Sequence, residues 1–553
     1  MAAIRGFPLA QSVLLAVCFF TAHVATAWAD VENGDIAPGR RMARQAASEP
    51  KRMLWNTADH SKFEALQKEF AKPEEVTAAC LRCHNEAAKQ IMQTIHWTWI
   101  DPTADKELHL GKGGYIVNNF CISLQSNYPR CTSCHAGYGW KDNKFDFTDE
   151  NKVDCLVCHE QTGTYKKFPS GAGYPAPPPG KVFPGNGKFY AAPDYNKVAQ
   201  SVGRPTRRNC GTCHFNGGGG DGVKHGDLDS SLIKPSKTLD VHMGEDSKNF
   251  ECVRCHTTVR HDVAGRIYMT PAYLERKSLL EDDLGLKIQC ESCHSARPHK
   301  RGEKMNDHTD KVACQSCHIP EFARVNPTKM LWDWSQAGRL KDGKPFKTIG
   351  PYGKPIYDSK KGVFRWAKNV VPEYRWWNGT MIHYTAQTKI DPSDTVPVSR
   401  PAGSRSDPHS RIMPFKIHHG KGPYDKVLNT MLIPHLFGKD KDAFWTHFDW
   451  KNALAAGMSY AGLPYSGEFD FVPTVFAYPT THMVAPKEKS LSCEACHAHS
   501  GRLAGLMGFY MPGRDSYSAL DVVGWGVAIA SLAGIVLHAV GRLAARSRKE
   551  DGA

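Results

Sequence analysis

A mainly α fold with extensive coil, closed by one C-terminal transmembrane helix, is predicted by three features of the 553-residue sequence. The first is an eightfold Cys-x-x-Cys-His motif. Its copies begin at Cys80, Cys131, Cys155, Cys210, Cys252, Cys290, Cys314 and Cys493. The second thiols are Cys83, Cys134, Cys158, Cys213, Cys255, Cys293, Cys317 and Cys496, and the copies end at His84, His135, His159, His214, His256, His294, His318 and His497. Two thiols to bond vinyl groups and an adjacent imidazole to ligate iron are what covalent attachment of haem c requires. A single copy is compatible with a zinc half-site; eight are not. The second feature is spacing, since Cys131 to Cys155 and Cys290 to Cys314 are each separated by 24 positions. Such short segments build no core of their own, so eight haem c groups must supply most of the apolar surface, packed on one another among short helices and loops. The third feature is the run 522–541, twenty residues without Asp, Glu, Lys or Arg, followed by Arg542, Arg546, Arg548 and Lys549. Its length spans a bilayer core, and the basic flank puts the tail 542–553 in the cytoplasm and the haem region outside. His538 lies near the cytoplasmic end of that run.

The other end agrees with export. Residues 1–29 carry Arg5, an apolar stretch at 13–20 and small residues at 25–29, the pattern of a signal peptide, with Cys18 discarded inside it. Of eighteen cysteines, sixteen belong to the motifs, leaving Cys121 as the spare thiol of the mature chain. The formal charge of +14 is offset by the haem propionates, which excludes nucleic acid as a partner while leaving clustered lysines to steer a small anion or an acidic redox protein.

Between the ends, residues from about 56 to 100 have a helical pattern. Pro73 opens a helix, Glu74 and Glu75 favour its N-terminus, and Val76, Ala79, Ile91 and Ile95 recur at helical spacing. The region 30–320 holds seven motifs, interrupted by a Pro/Gly-rich surface loop at 170–187. The region 321–515 holds the eighth motif and Trp332, Trp334, Trp366, Trp376, Trp377, Trp445 and Trp450, and reads as a wrap around the haem array.

Electron-transfer haems usually take two histidines, whereas a reacting haem keeps one side for substrate. The distal set drawn from position is His96, His225, His242, His261, His299, His308 and His482, with His109, His383, His418, His419 and His435 in reserve. Seven such ligands leave one haem with a different partner. The run 217–220, followed by Asp221-Gly-Val-Lys224-His225, lets backbone approach a flat cofactor closely and offers two distal ligands side by side.

Eight motifs all ending in His, a spare cysteine ten residues before the second motif, the 217–225 run after the fourth and Thr481-His482-Met483 before the last together resemble the octahaem tetrathionate reductase family. The resemblance covers nearly the whole mature chain. It implies that the second haem, on Cys131, Cys134 and His135, is catalytic, that Lys224 is its unusual lysine ligand, with Lys197 the alternative, and that Cys121 is the nearby thiol. The membrane run departs from the soluble family member and points to a membrane quinol-oxidising or cytochrome b-type electron donor.

The expected function is a periplasmic oxidoreductase, anchored in the cytoplasmic membrane, that reduces tetrathionate or a related oxyanion. Nitrite and hydroxylamine are the alternatives, with Lys416, His418 and His419 as a basic loop that attracts the anion or donates protons. A pure conduit from membrane quinol to periplasmic partners predicts eight bis-histidine haems. An oxidase of hydroxylamine or hydrazine predicts a cross-linked tyrosine, and no motif singles one out.

Overall fold

The computed structural model describes residues 58–101, 107, 109–120, 123–265, 289–295, 297–300 and 303–550. The signal segment, Cys18 and Cys121 lie outside them. The haem-binding region is built as expected from short helices and coil. Helix α1 (Pro73–Leu81) begins on proline, and Glu75 accepts from the amides of Ala71 and Lys72, so the first turn is capped by its own carboxylate. Its buried Val76 and Ala79 pack with Leu156, Val157 and Val198, joining the first motif to the third. Helix α2 (Arg207–His214) carries the whole fourth motif and is started by a Thr206–Asn209 capping pair. Most other motifs occupy a single turn. Two small hairpins are added, Gly180–Phe183 with Lys188–Ala191 and Thr258–Val259 with Asp262–Val263; the first takes in the end of the expected 170–187 loop.

The Trp-rich segment departs from expectation. It folds into a nine-stranded sheet, so the mainly α reading fails there. The strands are β1 (Thr328–Asp333), β2 (Lys347–Ile349), β3 (Pro355–Asp358), β4 (Gly362–Ala367), β5 (Glu373–Trp377), β6 (Met381–His383), β7 (Val396–Pro401), β8 (Arg411–Asp425) and β9 (Phe469–Pro479). They run in the order β6-β7-β9-β8-β1-β4-β3-β2, with β5 also paired to β8. The central pair β8–β9 is antiparallel from Phe415 opposite Pro479 to Asp425 opposite Phe469, while β8–β1 and β7–β9 are parallel. Strand β9 explains the departure, because Val472, Thr474, Phe476 and Tyr478 alternate and are each 1–2% exposed, the period of a strand facing a core. Trp332, Trp334, Phe364, Phe444 and Leu454 share that core, the last from helix α3 (Trp450–Ala461), which starts on an Asp449 cap and stops at Gly462 in the left-handed region.

Residues 115–117 lie along this sheet, with Val117 N–H donating to Tyr384 and Ala386 N–H to Tyr115. They deliver Asn119 and Phe120 to the β8–β9 face. At the far end, helix α4 (Ser518–Glu550) contains the expected 522–541 run, is long and apolar enough to cross a membrane, and has Val522, Trp525, Leu532 and Ile535 exposed.

Candidate haem sites and reaction centre

An imidazole pair sharing one metal ion holds its ring centres about 6 Å apart, given a metal–nitrogen bond of about 2 Å on each side. Seven histidine pairs among the described residues have this separation. They are His84 with His60 at 6.4 Å, His159 with His261 at 6.4 Å, His214 with His96 at 6.1 Å and His256 with His482 at 6.3 Å. The remaining three are His294 with His242 at 6.1 Å, His318 with His299 at 6.3 Å and His497 with His308 at 6.1 Å. Each pair unites one motif histidine with one other, so the residues present fit haem iron held between two imidazoles.

The outer nitrogens support that fit. Nδ1 of His159, His256, His497 and His308 meets the carbonyls of Gly203, Ala264, Pro512 and Lys304 at 2.7–2.9 Å. Nδ1 of His261 meets Gln90 Oε1 at 2.8 Å. A proton fixed on Nδ1 leaves the Nε2 lone pair for iron. His482 goes further: its Nδ1 lies 3.2 Å from Asp227 Oδ2, which also accepts from the amides of Thr481 and His482. Burial opposes the charged Asp227, but the bond to His482, the neighbouring His482 and His225 rings and the Thr481 amide together outweigh it and hold the carboxyl down to about 2. A carboxylate on Nδ1 makes His482 a stronger donor through Nε2.

Six of the seven expected distal histidines therefore stand opposite a motif histidine, and His225 does not. Its ring faces Tyr478 at 5.1 Å, because the glycine run carries it onto β9 rather than toward another motif. His60, which sequence reasoning missed, takes the seventh place. It lies twenty residues before Cys80, farther than His308 and His482 lie from the motifs they precede, so position alone did not mark it.

His135 is the exception among the motif histidines. It is fully buried among Trp97, Trp99, Trp140, Phe145 and Phe147, with centroids 4.9–6.3 Å away. Its Nε2 lies 2.7 Å from the Trp97 carbonyl, which can only accept, so that nitrogen carries the proton. Burial pushes the imidazole down to about 3. Unlike His159, His256 and His497, whose Nδ1 meets a carbonyl, His135 has its Nε2 engaged with backbone, and its ring is not among the seven imidazole pairs. The main chain is pinned as well: Lys167 Nζ donates to the carbonyls of His135 and Gly137 and pairs with Asp154 at 2.8 Å, both side chains buried. Tyr138 and Tyr165 donate to the same carboxylate at 2.7 and 3.0 Å.

Lys224 stands on the loop leaving α2. Gly218 has φ +77°, and a Cβ there would meet Phe120 at 3.1 Å and Val223 at 2.9 Å, so the loop needs glycine to lie against the residue preceding Cys121. Lys224 Nζ lies 5.6 Å from the Tyr478 ring centre. Lys416, 1% exposed on β8, donates to the carbonyls of Val223 and Lys224 at 3.0 Å each and to Thr328. Lys416 and His418 therefore sit on a buried strand, not a basic loop, while His419 faces outward. Burial brings the Lys416 ammonium down to about 7 and His383 down to about 3, and it lowers His418. Asn119 donates to the His418 carbonyl at 3.0 Å and accepts from Thr474, and the Phe120 ring is 4.7 Å from the His418 ring. Lys224, Lys416, His418, Phe120 and Tyr478 are thereby assembled in one place. Lys197 is elsewhere, exposed on the short helix Tyr195–Gln200 that packs beside the first and third motifs. His435 is bound to Ser126 and Asp440, and His109 packs on Tyr115.

Contacts between motif sulfurs order the array. The sulfur of Cys80 neighbours that of Cys155, as do those of Cys134 and Cys213, Cys210 and Cys252, and Cys290 and Cys314. Cys158 is within electrostatic reach of Cys210, Cys255 of Cys293, and Cys317 of Cys496. In the holoprotein these sulfurs are thioethers, and their neighbours are the neighbouring haem sites. The order is first, third, fourth, fifth, sixth, seventh and eighth, with the second joined to the fourth. Three ends result: the first site, the second and the eighth.

Comparison with known proteins supports a multihaem c-type cytochrome. The family described as bacterial cytochrome c matches residues 329–500. The crystal structure of octahaem cytochrome c from Shewanella oneidensis is similar, with 43% sequence identity and a TM-score of 0.70, covering 81% of this chain and 95% of that one. An uncharacterized protein of Archaeoglobus fulgidus is 21% identical over 242 residues, 37% of this chain and 80% of the relative.

Proposed function

We infer that this chain, which belongs to the octahaem c-type cytochromes, reduces tetrathionate or a related small sulfur or nitrogen oxyanion at its second haem site. The observation that carries the reading is the His135 imidazole, turned to the Trp97 carbonyl while every other motif histidine faces a second imidazole. The resemblance to octahaem tetrathionate reductases makes Lys224 the residue that would ligate the second haem, at one end of the array. The haems would supply single-electron carriers and, at this site, an iron at which substrate could be reduced.

The remaining work belongs to side chains. Lys416 fixes the Lys224 main chain through two carbonyls and adds positive charge where an anion arrives. Phe120, Tyr478 and the aromatic cage around His135 exclude water, which strengthens that attraction. Cys121 follows Phe120 directly, and its thiolate attacks one central sulfur of tetrathionate, forming a sulfur–sulfur bond to the enzyme and releasing one thiosulfate. Two electrons then cleave that bond and return the thiolate and a second thiosulfate. No proton is consumed, in contrast to nitrite or hydroxylamine reduction. The array feeds these electrons along its arm from the fourth site, and α4 anchors the chain with its haem region on the periplasmic face.

Purified full-length protein with a reduced dye tests this reading. Tetrathionate is expected to be turned over, and Cys121→Ser to impair it more than hydroxylamine reduction. Turnover of no acceptor would leave the conduit reading in its place. Truncation before Ser518 is expected to release a coloured, folded, soluble domain; full-length protein found free of membranes without proteolysis would remove the anchor.

A further inference from the structure

The eighth haem site stands at the root of the membrane helix. His497 Nδ1 meets the Pro512 carbonyl at 2.9 Å, and Gly513 lies so close to His497 that a Cβ there would come within 2.3 Å of its carbonyl oxygen. The intervening chain is folded rather than slack. Arg514, 7% exposed, donates to the carbonyls of Leu503, Leu506 and Phe509 and pairs with Asp515, which in turn accepts from Met511 N–H at 2.7 Å. Leu503 and Met511 are buried with Tyr374 and Ile412, and Phe509 packs on Trp376 at 5.9 Å, so the segment is fastened to β5 and β8.

From Gly513 to the first residue of α4 the chain can reach about 18 Å at most. Exposed Tyr510 and Tyr517 flank that junction in the chain, and tyrosine favours a membrane–water boundary. His308 and Cys493 are exposed, so this site has an accessible edge. The array ends here, four sites beyond the fourth, where the reaction centre joins.

We propose that the eighth site, between His308 and His497, is where electrons pass into the haem array from an integral-membrane quinol-oxidising partner, the segment 498–517 fixing its distance from the bilayer. This rests on the anchored-reductase reading. Oxidation of one quinol by the partner yields a quinone, two electrons and two protons. The electrons enter singly at the eighth site and the protons leave from the partner.

The test uses membranes holding the full-length holoprotein, with duroquinol as reductant and the visible haem band as readout. A flexible Gly/Ser insertion of about twelve residues between Tyr517 and Ser518 adds roughly 20 Å of reach. It is expected to slow quinol-driven haem reduction roughly tenfold or more by diluting the site from its partner. Dithionite reduction and haem content should be unchanged. The same insertion at Gly343, on an exposed turn, is expected to have no effect. His308→Met should shift the spectrum of one haem and slow quinol-driven reduction too, while dithionite still reduces the array. Wild-type quinol rates in both the 517/518 insertion and His308→Met would overturn the proposal. So would wild-type membranes that duroquinol does not reduce while dye-driven tetrathionate turnover is intact, which leaves the reductase reading standing. Slowed quinol reduction without any dye-driven turnover would support the port and sink the reductase.

Discussion

Lys224→Leu is expected to lower tetrathionate turnover about 100-fold or more, the effect of disturbing a metal's ligand set, and to change the spectrum of one haem only. Leucine fills the same loop without a nitrogen donor. The loop itself should survive, because Lys416 holds it through the carbonyls of Val223 and Lys224, which the substitution leaves in place. The fourth site, attached on the helix that launches this loop, keeps its His214–His96 pair. Electron paramagnetic resonance and dye-driven turnover of the same preparation check both halves. An unchanged spectrum would move the lysine role to Lys197 or remove it, and Lys197 would then have to act from an exposed short helix beside a different cluster.

Asp154→Ala is expected to destabilise the protein by about 3–5 kcal/mol, the usual result of leaving one member of a buried ion pair uncompensated. Lys167 would remain buried, its ammonium held only by the His135 and Gly137 carbonyls, and Tyr138 and Tyr165 would lose their shared acceptor. The third motif would suffer too, since Asp154 accepts from Val157 N–H at 3.0 Å at the start of its single turn. Asp154→Leu combined with Lys167→Met should cost less than Asp154→Ala alone, because no buried charge is then left unpaired. Denaturant midpoints followed by the Soret band measure this. Equal midpoints for wild type and Asp154→Ala would mean that the pair does not hold the second and third sites together.

The haem sites were legible because their chemistry is local: two thiols and an imidazole within five residues need no fold to be recognised. Distal ligands were legible where a histidine shortly precedes a motif, as His308 and His482 do. His225 was misread because adjacency to glycines suggests closeness to a cofactor, yet the direction of the loop sends its ring to Tyr478. The sheet was missed although β9 carries a period of two from Val472 to Tyr478, since tryptophan content drew attention away from spacing. Lys416 reads as polar surface in any sequence window. Only the register of β8 against β9 and β1 turns it inward to the carbonyls of the 217–225 loop. The role of His135 was not legible at all, because its motif is identical to the other seven and the distinction lies in which ring nitrogen meets a carbonyl.

The central claim, that one haem site differs in ligation from seven others, is tested most directly by low-temperature electron paramagnetic resonance with near-infrared magnetic circular dichroism of the fully oxidised wild-type protein. Seven bis-histidine haems and one with a nitrogen ligand of lysine type are predicted from the seven imidazole pairs and the turned-away His135. Eight bis-histidine haems would contradict it.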